Sequence, residues 1–435
     1  MGNSRRDFLK FTSGLLSATT LLSTKRAQAF RSSSKKIPVI QGGTSESSTT
    51  LVIILPADQS SSKQIQVEIF NSEGFMHKDW KLSEVTLFSQ QARLFHVDVQ
   101  RLEANLSYEL VLFIDGRPIE QRFFQSFAPR SRTLILGSCS NESIRQGQKE
   151  IWGKIESTKS DAFFYIGDAV YADSAIESAL GTPASVESAH RRYISTLKSL
   201  PHYFREKLVP QFHIWDDHDY GWNGGDENHP HRLDMQKMFR VFFPQKFGPT
   251  YKRGGHLSFS IQVNGIQYLF IDGRSERNYS AKQNKYISNE TKNWILESIQ
   301  SHQGPSAIVT GSQLCGFGTN RDSIEQAHPA DFNWFKNCFE SQSSVLFFIS
   351  GDTHYSHLQT LQWGSHESME LTSSGLHSYN FTGSGKRDPS QGQKGYYKGV
   401  NFCTLWAEAK GHRVQGRFSC TSLRGAEFSI PFDLG

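Results

Sequence analysis

The chain has 435 residues, 37% hydrophobic and 12% aromatic, with a formal net charge of +5. This composition excludes a collagenous, low-complexity or intrinsically disordered chain, and the length calls for two domains, or one large domain with an appendage. The charge excludes little on its own. Residues 1–29 carry Arg5, Arg6, Lys10, Lys25 and Arg26 against the single acid Asp7, which leaves +1 for the rest, so nothing argues for a polyanionic partner or a nucleic-acid-binding module.

Residues 1–29 read as a targeting signal. Ser4-Arg5-Arg6-Asp7-Phe8-Leu9-Lys10 is a twin-arginine pattern, followed by a weakly apolar stretch over 11–23 and an Ala27-Gln28-Ala29 cleavage site. Thirteen residues are too few to cross a hydrocarbon core, which takes about 20 as a helix, and no later segment is long and apolar enough. The expectation is a protein handed to the twin-arginine export machinery, then periplasmic or secreted with no transmembrane anchor. Substrates of that route typically cross folded, often with a cofactor already inserted. The five cysteines are Cys139, Cys315, Cys338, Cys403 and Cys420. An odd count leaves at least one thiol unpaired within the chain, and four allow up to two disulfides, or all are buried and reduced.

Residues 30–48, rich in Ser, Lys, Gly and Thr, read as a flexible leader. From 49 to 128 the pattern is short alternating strands at 51–55, 65–70, 94–99, 108–114 and 121–127, with Asp115-Gly116 as a hairpin turn, which predicts a β-sandwich. Leu106-Ser107-Tyr108-Glu109-Leu110 resembles the tyrosine corner of immunoglobulin and fibronectin type III modules. Ala128-Pro129-Arg130-Ser131-Arg132 reads as a linker. Beyond it strands alternate with helices, the signature of an α/β layered domain over 133–435. Strands are predicted at 133–136, 163–166, 211–215, 307–309 and 345–349, with a hairpin over 257–271 turning at Asn264-Gly265. Helices are predicted at 148–157, 188–198, 203–208, 232–243, 291–298 and 331–339. The tail, 369–432, returns to short strands and extends a second sheet.

Four of these strands end in residues that a core does not need: Gly137-Ser138-Cys139-Ser140, Gly167-Asp168 with Tyr171, Asp216-Asp217-His218-Asp219, and Gly351-Asp352-Thr353-His354. In open α/β sheets ligands collect outside the carboxyl ends of strands, so the four loops are expected to converge. A thiolate, a phenolate, an imidazole and a carboxylate suit a transition ion. A phenol, whose free pKa is about 10, gives up its proton at neutral pH only to a strong Lewis acid, which points to Fe³⁺. Asp168, Asp217 and Asp352 suit a hard cation such as Ca²⁺, Mg²⁺ or Mn²⁺, with Asp168 able to bridge the two. His218 is placed to donate to a phosphoryl oxygen or protonate a leaving group. Asp173 is expected to support its loop only.

These motifs, together with Asp272-Gly273-Arg274, resemble those of PhoD-like phosphatases in the calcineurin-like metallophosphoesterase superfamily, and the Gly-Asp-x-x-Tyr element resembles purple acid phosphatases. The resemblance runs over residues 40–435. It implies an α/β/β/α sandwich preceded by an immunoglobulin- or fibronectin-III-like β-sandwich, and an exported alkaline phosphatase or phosphodiesterase that takes small phosphate esters. By the same resemblance Cys139, Asp168, Tyr171 and His354 hold iron, Asp168, Asp217 and Asp352 hold calcium, and Arg274 faces the phosphate. The chain departs from the pattern after Asp219, where Tyr220-Gly221-Trp222-Asn223-Gly224-Gly225-Asp226 stands in place of an Asn pair. Asn223 is the candidate substrate contact there, with Asp226 an alternative. Two other functions fit the same residues: a phospholipase-D-like or nucleotide phosphodiesterase specialist, and a non-catalytic surface protein carrying a relic metal site.

Overall fold

The computed structural model describes residues 37–56, 64–85, 91–104, 106–127, 133–245, 251–316, 322–379 and 389–435. The twin-arginine segment, residues 30–36 of the predicted leader and the whole predicted linker lie outside them. Among the described residues no helix is long and apolar enough to cross a membrane.

The N-terminal strands are β1 (Val39–Gly42), β2 (Thr49–Pro56), β3 (Ile65–Asn71), β4 (Met76–His77), β5 (Trp80–Val85), β6 (Ala92–Val99), β7 (Ser107–Ile114) and β8 (Arg117–Gln125). They form two four-stranded antiparallel sheets, ordered β1-β2-β6-β5 and β4-β3-β7-β8. Period-two alternation sends one face of each inward: Leu51, Ile53, Val97 and Val99 from the first sheet meet Val67, Ile69, Leu110 and Leu112 from the second in one hydrophobic cluster. The Tyr108 hydroxyl accepts the Glu103 amide at 2.9 Å, the backward bond that defines a tyrosine corner. The leader assignment needs correction at its end. Val39–Gly42 is a buried strand paired in register with β2, and the Ile37 amide and carbonyl are taken by Glu120 and Arg122 of β8.

The rest builds on two larger sheets. The strands are β9 (Thr133–Gly137), β10 (Ala162–Ile166), β11 (Gln211–Ile214), β12 (Tyr251–Arg253), β13 (Phe259–Val263), β14 (Ile266–Phe270), β15 (Ser306–Thr310), β16 (Leu346–Ser350), β17 (Tyr355–Trp363), β18 (His366–Thr372), β19 (Gln393–Lys398), β20 (Asn401–Lys410), β21 (Arg413–Ser422) and β22 (Gly425–Leu434). One sheet runs β11-β10-β9-β20-β21-β22 and the other β12-β13-β14-β15-β16-β18-β17-β19. The central strands β9, β10 and β11 are parallel, as are β14, β15, β16 and β18. Buried along most of their length, β9, β10 and β16 read as nearly unbroken apolar runs. The two sheets share one core, in which Phe164 of β10 meets Tyr268 and Phe270 of β14 edge-on at 5.3 and 5.0 Å.

Two expectations shift. The tail does not extend a single sheet: β18 and β19 join the eight-stranded sheet, whereas β20 pairs with β9 and carries β21 and β22 onto the six-stranded one. The helix predicted at 203–208 is only a 3₁₀ turn, Pro201–Phe204. The backbone after it pairs with β8 instead: Phe123 donates to the Glu206 carbonyl at 2.8 Å and Leu208 donates to the Phe123 carbonyl at 2.7 Å.

Candidate metal centre

The ends of β9, β10, β11 and β16 meet at one place, because their loops continue the strand pairing. Cys139 donates its amide to the Gly167 carbonyl, Gly167 to Ile214, and Gly351 to Gly311. A side chain at Gly351 is impossible there, since a β-carbon would collide with the Ile166 carbonyl. That contact sets the end of β16 directly against the end of β10. Four non-glycine residues at these ends have left-handed backbones: Cys139 (φ 60°), Asp168 (φ 52°), Asp352 (φ 65°) and His354 (φ 57°). Such conformations cost about 1–3 kcal/mol each and concentrate where side chains are held for function.

Two groups of acids result. Asp168, Asp217 and His218 offer ligand atoms that all lie within 4.8 Å of one another, and so do Asp216, Asp217 and Asp352. Asp217 belongs to both groups, the position that sequence reasoning gave to Asp168. Asp216 was not singled out from its Asp-Asp-His-Asp run, although the run itself was the signal. Cys139 is fully buried, and its Sγ lies 3.5 Å from Asp168 Oδ2 and 3.6 Å from the Asp352 carbonyl oxygen. His354 stands apart from both groups but is tied to Cys139. Its amide donates to Ser374 Oγ at 2.8 Å, and that hydroxyl is 3.1 Å from the Cys139 sulfur. His354 Nδ1 donates to the Tyr379 carbonyl at 2.6 Å, which leaves Nε2 as its metal-competent nitrogen.

The electrostatics favour a cation. Burial, then Asp168 and Asp352, push the Cys139 thiol well above its usual value. Burial, then Cys139 and the carboxylates Asp168, Asp217 and Asp352, do the same to the Tyr171 phenol. Burial also raises Asp352, with Asp216 and Asp217 adding to it. Asp217 goes the other way: although burial raises it, Arg274, His218 and the Gly224 amide hold it at about 2. The Tyr171 hydroxyl is buried and has no hydrogen-bond partner among the described residues. Tyr165, Tyr203 and Tyr268 share that state in the core; what suits the Tyr171 oxygen to a metal is that Cys139, Asp168, Asp217 and Asp352 surround it. The four carboxylates Asp168, Asp216, Asp217 and Asp352, with the Cys139 thiol and the Tyr171 phenol beside them, are a donor set that could hold metal.

His218 stacks on Tyr171 and places its Nδ1 2.7 Å from Asp173 Oδ1. A carboxylate only accepts, so Nδ1 carries the hydrogen and Nε2 is presented to the site. Although burial lowers it, Asp217, Asp168 and Asp173 hold the imidazole well above its usual pKa. Asp173 therefore does more than support its loop; its place at the end of the β10 motif was the available signal.

Arg274 does not present a free face. It is fully buried, its Nε is paired with Asp216, and its other end lies 3.3 Å from Asp322 and 3.9 Å from Asp217. A guanidinium taken out of water demands such counter-charges. Arg277, also fully buried, shares Asp322 at 3.4 Å. Nothing near Asp322 in the sequence announced that role. Asn223 is exposed, and its amide donates to the Ser178 carbonyl at 3.4 Å. It is the neighbouring Gly224 amide that reaches the centre, donating to Asp217 Oδ2 at 2.8 Å. Asp219 is structural, accepting the Val170 and Asp216 amides, as is Asp272, which accepts from Trp215, Leu257, Arg274 and Ser275.

Comparison of the whole fold with solved structures gives a clear match. The chain is similar in fold to a structure described as that of PhoD. The TM-score is 0.67 at 14% identity, over 90% of this chain and 91% of that one. At that identity the likeness is one of architecture, a mixed α/β chain of several sheets. No family model matches the sequence, and no curated protein matches it.

Proposed function

We propose that this chain is a metal-dependent phosphohydrolase that cleaves phosphate esters, built as a PhoD-like enzyme. The observation that carries the reading is the convergence of Asp168, Asp216, Asp217 and Asp352 with Cys139 and the partnerless Tyr171 phenol at four strand ends. The fold likeness to the PhoD structure supports it. In this reading the two N-terminal sheets are an immunoglobulin- or fibronectin-III-like domain, residues 133–435 are the catalytic domain, and the twin-arginine segment directs export. Cys139, Asp168, Tyr171 and His354 are the proposed iron ligands, and Asp168, Asp217 and Asp352 the proposed calcium ligands, with Asp216 added from the geometry. Bound cations would supply Lewis-acid activation of water and charge neutralisation at phosphorus.

The remaining chemistry belongs to the side chains. His218, positively charged and oriented by Asp173, presents Nε2–H as a hydrogen-bond donor to a phosphoryl oxygen or as the acid that protonates the departing alkoxide. Arg274 acts through Asp216 and Asp217, fixing both in place, opposing the burial that raises Asp216 and holding Asp217 low; in this reading it is a positioning residue rather than a phosphate contact. Gly224 does the same for Asp217 through its amide.

Elemental analysis of protein purified after native export, with parallel hydrolysis of a phosphate monoester and a diester, tests the reading. Stoichiometric bound metal and activity on at least one ester are expected. Both should be lost in Cys139→Ala and in Asp168→Ala. Metal-free protein, or metal-loaded protein inert on both esters, would overturn it.

A further inference from the structure

Two of the five thiols face each other away from the candidate centre. Cys403 of β20 and Cys420 of β21 are direct Cα partners in an antiparallel ladder, and both are fully buried and free. Opposed residues of such a ladder have Cα atoms about 4.5 or 5.5 Å apart, depending on the hydrogen-bonding of the pair. Both values fall within the roughly 4.4–6.8 Å span of a disulfide. The outer neighbour of β21 is β22, which among the described residues is the edge of that sheet, and its pairing with β21 slips between Cys420 and Thr421. An edge strand with a broken register is a part of a sheet that opens readily, and here Phe428 of that strand is the direct cross-strand partner of Cys420.

The pair is also wired to the candidate centre. Cys420 Sγ donates to Asn401 Oδ1 at 3.4 Å, and the same oxygen accepts Ser356 Oγ at 2.6 Å. Asn401 Nδ2 holds the Ser374 carbonyl at 2.9 Å, and the Ser374 amide donates to Ser356 Oγ at 3.1 Å. Ser374 in turn touches the Cys139 sulfur and accepts the His354 amide. A chain of buried hydrogen bonds thus runs from Cys420 to two residues assigned above to metal.

We propose that Cys403 and Cys420 are a redox modification site, a dithiol that closes to a disulfide by exchange with a low-molecular-weight disulfide and loosens metal binding at Cys139 when it does. Cys420 keeps its hydrogen on Asn401, so the thiolate of Cys403 attacks one sulfur of the reagent, whose S–S bond breaks to release one thiolate. The thiolate of Cys420 then attacks the mixed disulfide at Cys403 and releases the second. Two protein thiols are oxidised, one reagent disulfide is reduced to two thiols, and the two protons pass to the released thiolates. Closure removes the S–H that Cys420 donates to Asn401, leaving that amide oxygen with one donor fewer.

Incubation of the folded protein with oxidised glutathione, followed by alkylation under denaturing conditions and peptide mapping, tests the first part. A Cys403–Cys420 cross-linked peptide as the dominant disulfide is expected, with Cys139, Cys315 and Cys338 alkylated. Five alkylated cysteines, or any other dominant pairing, overturns the proposal. The second part rests on the metal reading and is measured separately, as the rate of metal loss to a chelator. The oxidised protein and Cys420→Ala are expected to lose metal several-fold faster than the reduced protein, whereas Cys420→Ser, which keeps a hydroxyl donor and cannot oxidise, matches it. Equal rates in the oxidised and reduced protein overturn the coupling. A protein that binds no metal but forms the disulfide refutes the metal reading and leaves the modification site standing.

Discussion

The ring of Tyr171 lies stacked on the imidazole of His218, centroids 4.1 Å apart and planes 25° from parallel. One contact therefore joins a proposed metal ligand to the proposed proton donor, and two substitutions separate their roles. Tyr171→Phe keeps the stack and deletes only the oxygen. A visible ferric-phenolate absorption band should be present in the parent and absent in this variant, and a colourless but fully active parent would refute the iron assignment. His218→Ala should retain metal by elemental analysis while hydrolysis slows about 10²–10⁴-fold, the usual contribution of a positioned general acid.

Asp173 is tested by its effect on His218. Asp173→Asn can donate to Nδ1 as well as accept from it, so the tautomer is no longer dictated. We expect kcat to fall by at least about 10-fold, with metal content and KM little changed. A fall in KM-dependent binding alone, with kcat intact, would show that Asp173 only braces its loop.

Removing Arg274 leaves the buried Asp216 without its guanidinium partner, whereas the half-buried Asp322 keeps Arg277. Breaking a buried pair from one side costs about 3–5 kcal/mol, so Arg274→Ala should lower the urea midpoint strongly, and Arg274→Lys less, because an ammonium keeps the charge but not the fork. A variant of parental stability that had lost only substrate affinity would restore the phosphate-facing role.

His377, whose amide donates to the Cys139 carbonyl at 3.2 Å, gives a pH prediction through its side chain. Its Nδ1 donates to the Asn141 carbonyl at 2.9 Å and its Nε2 accepts the Trp152 indole N–H at 3.1 Å. Burial lowers its pKa to about 4, from a usual value near 6.5. Between those values the unfolded chain binds a proton that the folded chain does not. The stabilisation is therefore complete above about pH 6.5 and is lost as pH falls towards 4, at about 1.4 kcal/mol per unit. In His377→Gln the slope of unfolding free energy against pH between 4.5 and 6 should be shallower by about that amount. An unchanged slope would mean that the imidazole titrates alike in both states.

What was legible in the sequence followed from local chemistry. The Asn264-Gly265 hairpin was readable because both residues adopt positive φ, 54° and 77°, as that turn demands. The strands β9, β10, β11 and β16 announced themselves as apolar runs breaking at polar ends, and those ends do come together. Partnerships across long separations were not legible. Val39 and Ile40 are too short an apolar run to read as a strand, and they become one only because β2 and β8 lie alongside. Asp322 lies 48 residues from Arg274 along the chain, and Asn401 lies 27 from Ser374. No periodicity or motif connects such pairs; only the strand order does. The pairing of Arg274 was hidden for the same reason, since its counter-charges Asp216, Asp217 and Asp322 come from two other loops.

The left-handed backbones of Cys139, Asp168, Asp352 and His354 also bear on how this chain would respond to improvement. Glycine relaxes such positions, so a search for thermostable variants would be drawn to these four sites first. Each gain would delete a side chain that the centre uses. Stability and chemistry compete here at the level of single φ angles, and a screen that scores melting temperature alone should converge on robust, inert protein.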